Sequence, residues 1–136
     1  MSKKLLMGAA IALGMTVAAG AAQAAGDAAA GKDVFKECMA CHTVEAGKNK
    51  VGPSLNGVVG RKAGAIDGFK YSKPMQEKAA AGFAWTPENL KAYLQAPKEV
   101  VPGGTMAYAG LKNVPKFKES ADKAADDLIA YLAEQK

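Results

Sequence analysis

Both cysteines and the single histidine of this 136-residue chain fall within five consecutive positions, Cys38-Met39-Ala40-Cys41-His42. That run constrains the chain more than any other feature, because it gathers all of its thiol and imidazole chemistry at one point. A C-x-x-C pair alone fits a thioredoxin-like redox couple, but such a couple sits in a βαβ pattern, and this sequence offers little β-branched alternation. A structural zinc site needs about four ligands. Two thiols and one imidazole do not reach that number without carboxylates that no motif places. The five-residue run instead has the spacing of a c-type haem attachment site. Two thiols three positions apart each add to one vinyl group of a porphyrin, and the adjoining imidazole reaches the iron from one face. Cys38 and Cys41 are therefore the expected covalent anchors, and His42 the expected iron ligand.

The amino-terminal region reads as a secretory signal over residues 1–24. Lys3 and Lys4 form a basic start, Leu5 to Ala19 is apolar, and Ala22-Gln23-Ala24 supplies a small-x-small cleavage pattern. A retained membrane anchor is the alternative, since the uncharged run from Leu5 to Ala22 approaches the ~20 residues that span a bilayer. Its abundance of Ala and Gly weakens insertion per residue. Export agrees with the haem reading, because bacterial attachment of this kind takes place outside the cytoplasm. Residues 25–136 then form one domain. The formal charge of the whole chain is +5, and losing Lys3 and Lys4 leaves a mildly basic domain. It lacks the dense Lys/Arg stripe of a nucleic-acid binder.

Capping signals place the helices. Asp27 is a candidate N-cap for a helix over 28–36, with Val34 and Phe35 on one side, running straight into the cysteine motif. Gly47, Gly52-Pro53, Gly57, Gly60, Gly64 and Gly68 make 47–68 a loop. The interleaved Val51, Leu55, Val58, Val59 and Ile66 argue that this loop is packed. Pro74 starts a short helix to Ala81, closed by Gly82, and Thr86-Pro87-Glu88 opens another to about Gln95, ahead of Pro97. A final helix is expected over 120–134, with Leu128, Ile129 and Leu132 at core spacing.

With a single histidine, ligation of one iron by two imidazoles from this chain is excluded. Methionine, lysine, water or nothing remain for the sixth position. Met1, Met7 and Met15 leave with the signal and Met39 lies inside the attachment loop, so Met75 and Met106 are the candidates. Met106 is favoured, because Pro102-Gly103-Gly104 breaks the chain just before it and presents it from a loop long enough to cross the opposite haem face.

The wider pattern resembles the class I cytochromes c, the mitochondrial-type group that includes the bacterial cytochromes c2, across essentially all of residues 25–136. The likeness is carried by Gly31 with Phe35, C-M-A-C-H-T-V-E at 38–45, Gly52-Pro53-Ser54-Leu55, Gly60-Arg61-Lys62, Phe69-Lys70-Tyr71, Trp85, Tyr93-Leu94, the segment 102–110 and Leu128-Ile129-Ala130-Tyr131-Leu132. It implies an all-α, single-domain fold around one covalent haem c, with His42 and Met106 as iron ligands. It further implies that the Pro53 carbonyl accepts the His42 ring proton, that Tyr93 places its hydroxyl near the Met106 sulfur, and that Arg61, Tyr71 and Trp85 bind a buried propionate. Gly31 and Phe35 would meet Leu128 and Tyr131 where the first and last helices cross.

The activity implied is that of a soluble, monomeric, periplasmic one-electron carrier, not an enzyme. Its partners would be membrane redox complexes: a cytochrome bc-type donor, and an oxidase or photosynthetic reaction centre as acceptor. Lys48, Lys50, Lys98 and Lys112 match positions around the exposed haem edge. Glu37, Glu99 and Thr105 stand where eukaryotic members commonly carry lysine, Asn49 replaces a frequent histidine, and the loop after Gly110 is longer. A haem enzyme or gas sensor would need an open sixth position and distal acid/base groups, for which no second histidine exists. A redox subunit bound permanently to one larger complex is a further alternative.

Overall fold

The computed structural model describes residues 26–136. The expected signal segment lies outside them. Five α-helices follow one another: α1 (Ala28–Phe35), α2 (Lys73–Ala80), α3 (Pro87–Gln95), α4 (Pro97–Val100) and α5 (Ala121–Ala133), with 3-10 turns at Leu111–Asn113 and Lys118–Ser120. A single isolated antiparallel bridge, Lys62 with Ala84, is the extent of β pairing among the described residues. No described helix is long and apolar enough to cross a membrane.

The caps act where the sequence places them. The Asp27 carboxylate accepts from the N–H groups of Ala29 and Ala30, and the Thr86 hydroxyl accepts from Asn89 N–H with Pro87 in the first turn. Ser72, which the sequence reading passed over, caps α2 by accepting from Met75 N–H, so that helix opens one residue earlier than Pro74. Pro97 ends α3 but also begins α4, because proline's fixed φ and missing N–H suit the first turn of a helix as well as they prevent its continuation.

Helices α1 and α5 make the most extensive contact between elements. A Cβ on Gly31 would overlap the Asp127 carbonyl, so glycine is what lets the two backbones touch. Phe35 stacks on Tyr131 at 5.4 Å between ring centroids, and Val34, Phe35, Leu128, Ile129 and Leu132 join the buried core. Asp127, only 5% exposed, staples the crossing by accepting from Asp27 N–H at 2.8 Å and from the Lys123 ammonium at 2.6 Å.

Burial alone would raise the Asp127 pKa. The Asp27 N–H and the Lys123 ammonium outweigh it, and the net value lies below the ordinary carboxylate range. A lowered folded-state pKa contributes stability above the unfolded value near 4, and that stability disappears as pH falls through the folded value. We expect Asp127→Ala to cost about 2 kcal/mol at neutral pH, the size of lost hydrogen bonds to a charged group. Urea unfolding should show the deficit at pH 7 and a diminishing one as pH falls below the ordinary carboxylate value of about 4.

The loop over 47–68 is packed through three of its five apolar residues, Ile66 being half-buried outside the core. Val58 is buried and Leu55 and Val59 lean on the core, but Val51 is 78% exposed. Alternating apolar residues in an irregular loop do not all turn the same way, since no strand periodicity forces them to.

Candidate functional site

The last turns after α1 deliver the motif. Cys41 N–H and His42 N–H both bond the Cys38 carbonyl, at 3.1 and 2.9 Å, which curls the segment so that both thiols and the imidazole face one cleft. The His42 ring is oriented by the loop that follows. Its Nδ1 lies 2.8 Å from the Pro53 carbonyl, an acceptor only, so Nδ1 carries the proton and Nε2 presents a free lone pair. Burial lowers the His42 pKa below the ordinary imidazole range, although the Pro53 bond pulls the other way. The ring is therefore neutral at pH 7, as a metal ligand must be. A Cβ on Gly52 would overlap this ring, so the Gly-Pro step serves two ends: glycine makes room for the imidazole and proline's carbonyl holds it.

The loop itself is fastened by polar side chains. Asn49 accepts from Ser54 N–H at 3.0 Å, the buried Ser54 hydroxyl donates to the Glu45 carbonyl at 2.6 Å, and Asn56 donates to the Val44 carbonyl at 3.0 Å. The histidine-to-asparagine departure at position 49 thus retains a structural task. The sequence reading did not assign these bonds, and only the Asx/Ser-rich composition of 49–56 hints at them.

The cleft encloses about 450 Å³. Cys38, Cys41 and His42 stand at one side of its lining, with Leu55, Val58, Trp85, Leu90 and Leu132 among its apolar members and Arg61, Tyr71, Met75, Tyr93, Met106 and Tyr108 completing it. The residues expected to hold the haem and its iron, Pro53 included, thus all line this one cleft. The two candidate methionines differ in their surroundings. The Tyr93 hydroxyl donates to the Met106 sulfur at 3.6 Å, and burial pushes the Tyr93 pKa up to about 12, so the phenol keeps its proton. Met75 packs against the core, with no hydrogen bond to its sulfur among the described residues.

Arg61 donates from one terminal nitrogen to the carbonyls of Ser54 and Asn56, at 3.1 and 3.0 Å, while its buried Nε has no partner among the described residues. Burial lowers its pKa, Tyr71 opposes that, and the guanidinium remains charged. Tyr71 receives a hydrogen bond from Ile66 N–H at 3.1 Å and packs edge-on against Phe69. Trp85 lies between Phe83 and Tyr93, with centroids 5.2 and 4.8 Å away. Tyr108, unassigned by the sequence reading, also lines this cleft, with a buried hydroxyl that has no partner among the described residues and a pKa pushed to about 12 by burial and then by Cys38 and Glu37.

Such a cleft fits a flat apolar plate with acidic edge groups. Its walls are mostly apolar, two thiols flank the imidazole, a thioether lies in the same lining, and an orphan guanidinium N–H waits for an anion. It does not fit a zinc centre, for no group of three or more His, Cys, Asp or Glu is placed to share a metal ion among the described residues.

The family model described as cytochrome c matches residues 28–136. The chain belongs to the cytochrome c family. Relatives include the cytochrome c-550 of Ancylobacter novellus, 52% identical over 103 residues that cover 75% of this chain and 89% of that one. The cytochrome c2 iso-2 of Magnetospirillum fulvum is 54% identical over 98 residues, 72% of this chain and 91% of that one. Cytochrome cH from Methylobacterium extorquens superposes with a TM-score of 0.67 at 44% identity, over 79% of this chain and 98% of that one. The protein is accordingly a class I c-type cytochrome of the c2 group, an electron carrier with one covalent haem c.

Three of the four lysines expected around the haem edge of this cytochrome are engaged locally. The Lys48 ammonium pairs with Glu45 at 3.2 Å, Lys50 donates to the Met39 carbonyl and Lys98 to the Gly104 carbonyl. Lys112 makes no ion pair among the described residues.

Proposed function

We propose that this cytochrome shuttles single electrons between membrane redox complexes in the periplasm, with His42 and Met106 holding the iron and Cys38 and Cys41 holding the porphyrin. The observation that supports this most is the convergence on one apolar cleft of a pre-oriented neutral imidazole and a methionine sulfur hydrogen-bonded by Tyr93. The bound haem supplies a single iron that changes between ferrous and ferric states. The chain's own residues do the rest. The Pro53 carbonyl fixes the His42 ring, Tyr93 keeps the Met106 sulfur facing inward, and the apolar walls exclude water, so the site changes little between oxidation states. Thioether ligation favours the reduced form relative to a second imidazole. Arg61, with a free buried Nε–H, is placed to neutralise a propionate, with Tyr71 and Trp85 beside it.

The same reading includes removal of residues 1–24, a monomeric state, no nucleic-acid ligand and no substrate transformation. Removal of residues 1–24 would leave Gly26 in place, where an added Cβ would overlap the Asp126 carbonyl. A reduced-minus-oxidised spectrum with and without carbon monoxide tests the carrier reading against a gas-binding or catalytic haem. The expected result is a low-spin spectrum unmoved by carbon monoxide.

Lys112 is the lysine on which to test docking, because reversing its charge breaks no ion pair among the described residues. Electrostatic steering accelerates encounter by about 10- to 1,000-fold at low ionic strength. We expect the second-order rate with a membrane oxidase or reaction centre to fall as salt rises, and Lys112→Glu to lower it further at low salt. The dependence should be gentle because Glu37 and Glu99 interrupt the basic face. A rate indifferent to salt and to this reversal removes steering at this face.

A further inference from the structure

The segment that carries Met106 across the cleft leans on the core through Tyr108 but has no backbone hydrogen bonding of its own among the described residues. From Thr105 to Ala109, no backbone N–H or carbonyl enters a backbone–backbone hydrogen bond among the described residues. The turn before it closes with Gly104 N–H on the Val101 carbonyl at 3.0 Å, and the next such bond is Asn113 N–H on the Gly110 carbonyl at 2.9 Å. Between these points three side chains act instead. Lys98 donates to the Gly104 carbonyl, Tyr93 donates to the Met106 sulfur, and Asn113 donates to the Ala109 carbonyl at 2.9 Å.

Lys98 is the one of these three that guards the hinge. It stands on α4, a turn made firm by the buried Pro97 and by bonds from Glu99 and Val100 to the Ala96 carbonyl and from Val101 to the Pro97 carbonyl. From that base it reaches over Gly103 and Gly104, two consecutive glycines with the largest backbone freedom of any residue pair. The carbonyl it holds lies two residues before Met106. We propose that Lys98 is a positioning residue for the iron site: its ammonium straps the Gly103-Gly104 hinge and so keeps the Met106 sulfur in the cleft. The proposal rests on the reading of Met106 as sixth ligand. It also gives Lys98 a task in addition to its surface charge, which the bond to a neutral carbonyl leaves in place.

An added ligand that needs the sixth position binds only molecules whose strap has opened, so its apparent affinity reports the open fraction. The experiment is an imidazole titration of the ferric holoprotein, followed in the visible spectrum. Lys98→Ala should bind imidazole about 3- to 10-fold more tightly than wild type, the range set by loss of one exposed charge-assisted hydrogen bond. Lys98→Arg, which keeps a cationic donor, should return to within about twofold by the same reasoning. Asp127→Ala loses global stability far from the cleft and should leave the imidazole affinity at the wild-type level.

Wild-type affinity in Lys98→Ala overturns the proposal, as does an equal gain in Asp127→Ala, which would mark the effect as general loosening. Met106→Ala separates the two readings. If it binds imidazole far more tightly than wild type while Lys98→Ala does not, the strap alone is refuted. If it binds no more tightly than wild type, Met106 is not the sixth ligand and both readings fall.

Discussion

Replacing Cys38 and Cys41 together with Ala leaves a largely unfolded, protease-sensitive chain. The cleft of about 450 Å³ lies between the α1–α5 crossing and the loops, and Leu55, Val58, Trp85, Leu90 and Leu132 all turn side chains into it. At roughly 24 cal/mol per Å³ an empty cavity of that size corresponds to about 11 kcal/mol, an upper figure because one side is open. Domains of this size are stable by only about 5–15 kcal/mol. A plate that fills the cleft and is bound by the native state alone therefore supplies stability comparable to the whole. What survives without it is the α1–α5 contact and the α3 and Leu111 side chains packed on it, a core that the emptied cleft leaves open along one face. Circular dichroism and limited proteolysis of the double variant check the result, and a cooperative thermal transition with native-like aromatic signal would contradict it.

Met106→Ala opens the iron to carbon monoxide and lowers the reduction potential, whereas Met75→Ala does neither. Both methionines line the cleft, so proximity alone does not separate them. What separates them is chemistry around the sulfur: Tyr93, a phenol held protonated by burial, donates to Met106 and to no other thioether. Losing a soft ligand that favours the ferrous state should shift the potential by on the order of 0.1 V or more, within the ~0.8 V that axial ligands command. Potentiometry of the three proteins, with a carbon monoxide difference spectrum for each, is decisive. A shift in Met75→Ala and none in Met106→Ala would transfer the assignment.

Much of this protein was readable before any coordinates, because the signals that define it act over a few residues. Thiol and imidazole spacing in 38–42 is a matter of covalent reach. Asp27 and Thr86 cap helices by bonding N–H groups two or three positions on, and the apolar spacing of Leu128, Ile129 and Leu132 needs only the helical repeat. The family likeness extended this reading to pairs far apart in sequence, such as Tyr93 with Met106 and Gly31 with α5.

The rest depended on how loops pass one another, which local chemistry does not encode. Ser72 looked like an ordinary linker residue until its hydroxyl met Met75 N–H, and Pro97 read as a stop although it also starts α4. Val51 is 78% exposed yet stands in the lining of the cleft, beside Gly52 and Pro53, which are committed to the His42 ring. The lysines at 50 and 98 were legible as positive charges on a docking face. Only the tertiary path brought the Met39 and Gly104 carbonyls under their ammonium groups, because where a long flexible side chain ends is decided by the acceptor the fold places within its reach.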